Sequence, residues 1–290
     1  MPRSLTTDGF RLEYDRAGAG PPVLLLHGWP GDRTDFRALV SMLLDTHEVL
    51  APDLRGFGES DKLVREPADA YSAAAQTRSL VGLLDELRLP RVVVAGYDIG
   101  SRIAQTLATQ HPDRVSALVV SPPLPGIGAR ILDVDPSREF WYQSFHQLDL
   151  VERLVDGRAE AVRVYLEHFW THWSGPSFTL DEGSLARLVR RYGAPGALVA
   201  SIAWYRAGAG AVAHSTAERA PAKGDRIHPP ATVLLPEHDP LFPPAWADRL
   251  DEFFDDVQVL HLPNAGHFTP LEAPQAFAEA ITAATDRDCP

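Results

Sequence analysis

Cysteine is almost absent from this 290-residue chain; the single one is Cys289, beside the C-terminus. An intrachain disulfide and a cysteine-based zinc site are therefore excluded, and this usage fits a reducing cytoplasm. Positive charge is scarce as well. Lys and Arg total 27 against 39 Asp and Glu, a formal net charge of −12. Such a chain repels phosphate backbones and anionic membrane surfaces, which argues against nucleic-acid and membrane partners. No apolar run approaches the ~18 residues needed to span a bilayer. The opening segment MPRSLTTDGFRLEYD has no apolar core of signal-peptide length, so a cytoplasmic location is expected. There is no repeat of fixed period. The histidines are scattered without HExxH spacing, so no metal is expected. No GxGxxG opens a helix after the first strand, because Gly18-Ala19-Gly20 runs into Pro21-Pro22. No cofactor is expected.

Apolar residues are plentiful, at 45%, enough for a sizeable core. Short, continuous, apolar runs at Val23–Leu26, Val49–Ala51, Val92–Ala95 and Ala117–Val120 read as parallel strands covered on both faces. Helical stretches are expected between them at Phe36–Leu44, Ala70–Leu87 and Ile99–Gln110, the last stopped by His111-Pro112. That alternation predicts βαβ units and a mostly parallel sheet flanked by helices, an α/β fold. The rhythm breaks after Val120. A Pro/Gly loop, Ser121–Gly128, leads into an aromatic-rich helical stretch from Arg138 to about Ala209, and Pro221–Pro230 reads as a linker. Strands resume at Thr232–Leu235 and Val257–Leu260, followed by a helix near Pro274–Ala284. The expected organisation is a core of residues 1–121 and 223–290 interrupted by a helical cap over 122–222.

The chemistry concentrates after the third of those parallel runs. Gly96-Tyr97-Asp98-Ile99-Gly100 has the form of a nucleophile elbow in its strand–turn–helix context. Glycines are needed where the turn is tight and backbones come close. A plain turn with Asp98 capping the helix is the competing interpretation. An elbow needs an oxyanion hole, a base and an orienting acid. The segment His27-Gly28-Trp29-Pro30 follows a strand where a backbone N–H could face the nucleophile; Pro30 cannot donate, so the donors are placed on Trp29 and Ile99. Downstream, Asp239 closes a strand and His267 sits in Asn264–Phe268, in the order nucleophile, acid, histidine. Glu237 and His238 compete with Asp239, which is preferred for its place nearest the strand's end.

The aspartate narrows the reaction. A serine attacking an sp³ carbon would form an ether, a dead end. An aspartate forms an ester whose carbonyl belongs to the protein, and water activated by a histidine can hydrolyse it. An aspartate side chain is ordinarily ionised at neutral pH, so the first step needs no base. This points to opening an epoxide or displacing a halide. A halide leaves without acid assistance, whereas an epoxide oxygen needs a proton donor, for which phenols are suitable. Tyr142 and Tyr205 in the insertion are the candidates.

The segments HGWPG (His27–Gly31), DLRGFGES (Asp53–Ser60), the aspartate elbow and AGHF (Ala265–Phe268) together resemble the epoxide-hydrolase branch of the α/β-hydrolase superfamily. Trp141–Asp149 and Trp204–Ala207 look like the cap segments that carry the two tyrosines in small bacterial members. The resemblance implies an α/β-hydrolase fold. It also implies Asp98 as the ester-forming residue, Tyr142 and Tyr205 as polarisers of the epoxide oxygen, and His267 with Asp239 as activators of water. The pattern departs from the family at Tyr97, often histidine, and at Ile99, often aromatic. Ile99 stands where a haloalkane dehalogenase would favour a tryptophan. Haloacetate dehalogenases are similar too; Arg102 matches one of their carboxylate-binding arginines and can equally be a structural ion pair. They want His and Trp where this chain has Tyr142 and Gln143. A non-catalytic binding protein on the same fold is the third alternative. The expected partner is a small apolar, epoxide-like substrate in a pocket between sheet and cap, lined by Trp29, Phe36, Phe145, Phe169, Trp170 and Trp204 together with the two tyrosines. The sequence leaves monomer and homodimer open.

Overall fold

A computed structural model describes residues 2–287; Cys289 lies outside the described residues. Seven strands form one sheet in the order β1-β3-β2-β4-β5-β6-β7. They are β1 (Tyr14–Gly18), β2 (Pro22–Leu26), β3 (Glu48–Pro52), β4 (Val92–Gly96), β5 (Val115–Val120), β6 (Ala231–Pro236) and β7 (Val257–Leu262). The apolar runs form strands where expected. Every residue of β4, β5 and β6 is buried, as strands covered on both faces must be. Strand β1 was not among the expected ones. It pairs antiparallel with β3 at the edge, and four of its five residues are exposed, so its sequence, YDRAG, carries no apolar run to betray it.

Four helices come before β5: α1 (Arg37–Leu43), α2 (Pro67–Ala70), α3 (Ala73–Glu86) and α4 (Ile99–Gln110). Between β5 and β6 run seven more: α5 (Val134–Glu139), α6 (Trp141–His146), α7 (Leu150–Leu154), α8 (Ala159–His172), α9 (Glu182–Tyr192), α10 (Ala197–Arg206) and α11 (Ala211–Ala217). The helical stretch thus runs one helix beyond Ala209. Helices α12 (Thr269–Glu272) and α13 (Pro274–Asp286) close the chain.

Parallel register aligns the strand ends that matter. Leu26 pairs with Gly96, Gly96 with Val120, and Pro236 with Leu262. The loops that leave β2, β4, β6 and β7 therefore emerge on one edge of the sheet, the usual location of sites in open α/β sheets. The insertion docks there through α9. Tyr192 donates to the Gly31 carbonyl at 2.7 Å, and an Arg191 guanidinium nitrogen lies 2.9 Å from Asp32. Among the described residues no helix is long and apolar enough to cross a membrane.

Candidate active site

The turn between β4 and α4 is strained at one residue. Asp98 has φ 50° and ψ −124°, a conformation that a non-glycine residue adopts only when its surroundings impose it. They do so by close packing. A Cβ on Gly100 would stand 1.9 Å from the Leu26 carbonyl oxygen, so the start of α4 can press against β2 only with glycine there. The Asp98 N–H donates to the Pro122 carbonyl at 2.9 Å, tying the turn to the end of β5. The Asp98 side chain makes no capping bond to α4; it points instead across to the β2 loop.

There its two oxygens are differentiated. Oδ1 accepts the Trp29 N–H at 2.7 Å. Oδ2 stands 3.3 Å from His267 Nε2. The other ring nitrogen, His267 Nδ1, donates to Asp239 Oδ2 at 2.8 Å, and Asp239 Oδ1 accepts the Leu241 N–H at 2.8 Å. All three side chains are buried. The rivals of Asp239 do not share this position: Glu237 and His238 are exposed. Burial pulls the His267 imidazolium down, but the Asp239 and Asp98 carboxylates outweigh it and push it up to about 10. The ring is therefore charged at neutral pH. Its backbone N–H donates to the Trp173 carbonyl at 2.8 Å, so the insertion also holds the histidine loop. Ile99 N–H lies in the first turn of α4, where a helix offers it no internal acceptor.

Tyr142 and Tyr205 close the site from above. Both are buried, and both line a small cavity with Asp98. Their rings meet edge to face with centroids 5.6 Å apart. Gln143 Nε2 donates to the Tyr142 hydroxyl oxygen at 3.1 Å. With a donor already on its oxygen, Tyr142 is free to direct its own proton elsewhere. Burial, then the nearby Asp98 carboxylate, raises Tyr142 well above the ordinary phenol; burial, Tyr142 and Asp98 do the same to Tyr205. Both stay protonated. Free space in the cavity is only ≈ 10 Å³, room for about one water.

The expected lining divides. Trp204 borders the cavity, and Trp29 stacks on Tyr142 with centroids 5.7 Å apart. Phe169 lies behind these two, edge-on to Trp29 at 4.8 Å. Phe36 packs against Tyr97, Phe145 against Tyr165, and Trp170 stacks on Phe268 at 3.7 Å. These last three do not border the cavity; each ring is used in packing against a neighbouring ring, as most buried aromatics are. Gln143, Ala209, Ala211 and Phe242 line the cavity without having been expected. Phe242 stacks near His267, with centroids 6.1 Å apart; its place three residues after Asp239 was the available signal. Among the described residues no group of three or more His, Cys, Asp and Glu could hold a metal ion.

A sequence profile for the α/β hydrolase fold matches residues 21–274. The chain is 28% identical over 277 residues to the soluble epoxide hydrolase of Corynebacterium sp. (strain C12), covering 92% of this chain and 91% of that protein. A shorter match, 36% identical over 117 residues, relates 39% of the chain to 34% of an epoxide hydrolase of Caballeronia sordidicola. Among solved structures, a protein of Nostoc sp. PCC 7120 assigned to the α/β hydrolases superposes with a TM-score of 0.84 at 26% identity, over 98% of this chain and 97% of its own. A protein of Klebsiella pneumoniae assigned as an epoxide hydrolase does so with a TM-score of 0.81 at 25% identity, over 98% and 97%.

Proposed function

This chain belongs to the α/β hydrolase fold family and is a hydrolase, and from that premise we propose that it opens an epoxide to a vicinal diol through an ester on Asp98. The observation that carries this reading is the carboxylate of Asp98, held at Oδ1 by the Trp29 N–H and facing His267 at Oδ2, beneath two buried phenols. Residues 122–222 act as the cap, and 1–121 with 223–290 as the core.

In the first half-reaction Asp98 Oδ2 attacks a ring carbon. The carbon–oxygen bond breaks, and the departing oxygen takes the proton of Tyr142, while the adjacent Tyr205 hydroxyl hydrogen-bonds that oxygen. The ester has no charge. His267 thereby loses one of the two carboxylates that hold its proton and passes that proton to the tyrosinate. In the second half-reaction His267 Nε2 takes a proton from water, and the oxygen attacks Asp98 Cγ. The developing charge on Oδ1 is met by the N–H groups of Trp29 and Ile99. The Cγ–Oδ2 bond breaks, the diol oxygen takes the His267 proton, and the Asp98 carboxyl returns its proton to the imidazole. Asp239 keeps the ring oriented and stabilises its charge throughout. Epoxide and water give diol, with every protein group restored.

Displacement of a halide from a haloacid could use the same three residues. Ile99 supplies no side-chain donor for a leaving halide, whereas the paired phenols suit an alkoxide. A pure binding protein has no use for the full set of nucleophile, base and acid. The deciding experiment is intact-protein mass spectrometry of His267→Gln incubated with styrene oxide and, separately, with chloroacetate. A mass gain equal to the epoxide, mapped to Asp98, supports the reading. An adduct from chloroacetate alone replaces it with dehalogenation, and no adduct from either removes Asp98 as nucleophile.

A further inference from the structure

The backbone on either side of His267 is gripped by one side chain. Gly266 N–H donates to Glu272 Oε2 at 2.8 Å, and Phe268 N–H donates to Glu272 Oε1 at 2.9 Å. Between them, His267 N–H donates to the Trp173 carbonyl at 2.8 Å. Glu272 Oε2 also accepts the Gly175 N–H at 2.8 Å. The carboxylate thus spans the histidine and reaches the loop that follows α8 in the insertion. Helix α12 has only four residues, and capping its first turn calls for the Phe268 bond alone. The other two bonds leave the helix, one for the residue before His267 and one for the insertion.

The contact between these loops is close. A Cβ on Gly266 would stand 2.3 Å from the Gly175 nitrogen and 2.4 Å from the Trp173 carbonyl oxygen. A Cβ on Gly175 would stand 2.6 Å from the Asn264 carbonyl oxygen and 2.8 Å from Glu272 Oε2. The Trp173 ring packs on His267 with centroids 5.2 Å apart, and on Tyr142 at the same separation. One short stretch of the insertion therefore touches the base and the phenol together. All three groups bound to Glu272 are donors. An ionised carboxylate is acceptor-only and serves them all, whereas an amide turns a donor toward one of them.

We propose that Glu272 is a positioning residue for His267, and that it sets this base only while the insertion is docked. The proposal rests on the epoxide reading for the step it affects. Ester formation uses Asp98 and Tyr142, which Glu272 does not hold. Ester hydrolysis needs His267 Nε2 aimed at a water beside Asp98 Cγ, and an error of about 1 Å in such an aim costs ~10²-fold. Free space over Asp98 is ≈ 10 Å³, so the insertion has to move for an epoxide to enter. Movement of Trp173–Gly175 takes the acceptor from His267 N–H and a donor from Glu272 at once. Their return restores both, which ties hydrolysis to a closed site.

The test separates the two half-reactions. Single-turnover reaction with styrene oxide, quenched at intervals and read by intact-protein mass, follows ester formation and ester decay in the wild type, Glu272→Gln and Gly175→Ala. For Glu272→Gln the expected result is ester formation close to the wild type and ester decay slower by ~10–100-fold. Gly175→Ala keeps the carboxylate but pushes the insertion's loop away, and gives the same pattern more weakly. In both free variants the downfield proton resonance of His267 Nδ1–H, bonded to Asp239, moves upfield. Ester decay at the wild-type rate in Glu272→Gln overturns the proposal; so does a loss shared equally by formation and decay, which marks general loss of structure. A wild-type resonance in both variants overturns it as well. If Glu272→Gln does not fold, Gly175→Ala decides by the same rates. A slow Glu272→Gln beside an unaltered Gly175→Ala keeps the positioning role and rejects its dependence on the insertion. Absence of any ester on His267→Gln rejects the epoxide reading, and the resonance then decides the role of Glu272.

Discussion

The hydroxyl of Tyr97 donates to Asp35 Oδ2 at 2.6 Å, which fastens the residue before Asp98 to the turn that follows the Trp29 loop. The same Asp35 oxygen accepts the Asp32 N–H at 3.1 Å. Tyr97 is wholly buried between these segments; a Cβ on Gly31 would stand 2.7 Å from its hydroxyl. Burial and neighbouring Asp32 push the Asp35 carboxyl well above the ordinary range. Two loops from different strands, one bearing the carboxylate and one bearing its backbone donor, are thus joined through a buried phenol as well as by the strand pairing beneath them.

Tyr97→Phe keeps the ring and removes that bond. The buried Asp35 carboxyl loses a donor, so stability falls by about 1–3 kcal/mol, measurable by urea denaturation. Turnover of an epoxide falls in kcat with little change in KM, because the loss acts on the alignment of Asp98 and Trp29 and not on the pocket. A fall in KM affinity alone, with kcat intact, counts against a positioning role.

Asp98→Ala abolishes turnover under the proposed mechanism, since no other side chain occupies the elbow. Steady-state diol formation is the measurement. Activity within ~10-fold of the wild type would refute the ester intermediate, because removal of a nucleophile ordinarily costs many orders of magnitude.

Tyr142→Phe and Tyr205→Phe separate the two phenols. General-acid assistance is worth about 10²–10⁴-fold. The double variant loses rate in that range, and the single ones lose less, because either phenol can partly replace the other. The loss falls on ester formation, read by single-turnover kinetics, and leaves ester hydrolysis nearly unchanged. Unaltered ester formation in the double variant rejects both tyrosines as acids.

The charge on His267 depends on Asp98. Asp98→Asn mimics the neutral ester and removes one of the two carboxylates that raise the imidazolium to about 10. Its pKa moves down toward 6.5, followed by NMR of the ring. The same raised value affects stability. The folded state holds the His267 proton more tightly than the unfolded state, so this stabilisation is complete below about pH 6.5 and is lost as pH rises toward 10. Denaturation between those limits shows a steeper decline for the wild type than for His267→Gln. Identical slopes would contradict the coupling.

Much of this protein was legible in its residues. The buried parallel strands announced themselves as continuous apolar runs because both of their faces are covered, and Pro112 fixed the end of α4. The elbow, Asp239 and His267 could be picked out because they sit where strands stop, and strand ends are visible as the end of an apolar run. Strand β1 escaped because an exposed edge needs no apolar pattern. The cavity lining was only half legible: Phe36, Phe145 and Trp170 are as aromatic as Trp204, and the direction in which each points is set by packing between helices distant in sequence. The same holds for Asp35 under Tyr97. Local sequence determined which elements form and which reactive groups stand at their ends, since those follow from short-range pattern. Tertiary structure alone decided which of these groups meet, since burial and hydrogen bonding between residues such as Asp98 and His267, 169 positions apart, exist only once the sheet has brought its strand ends to one edge.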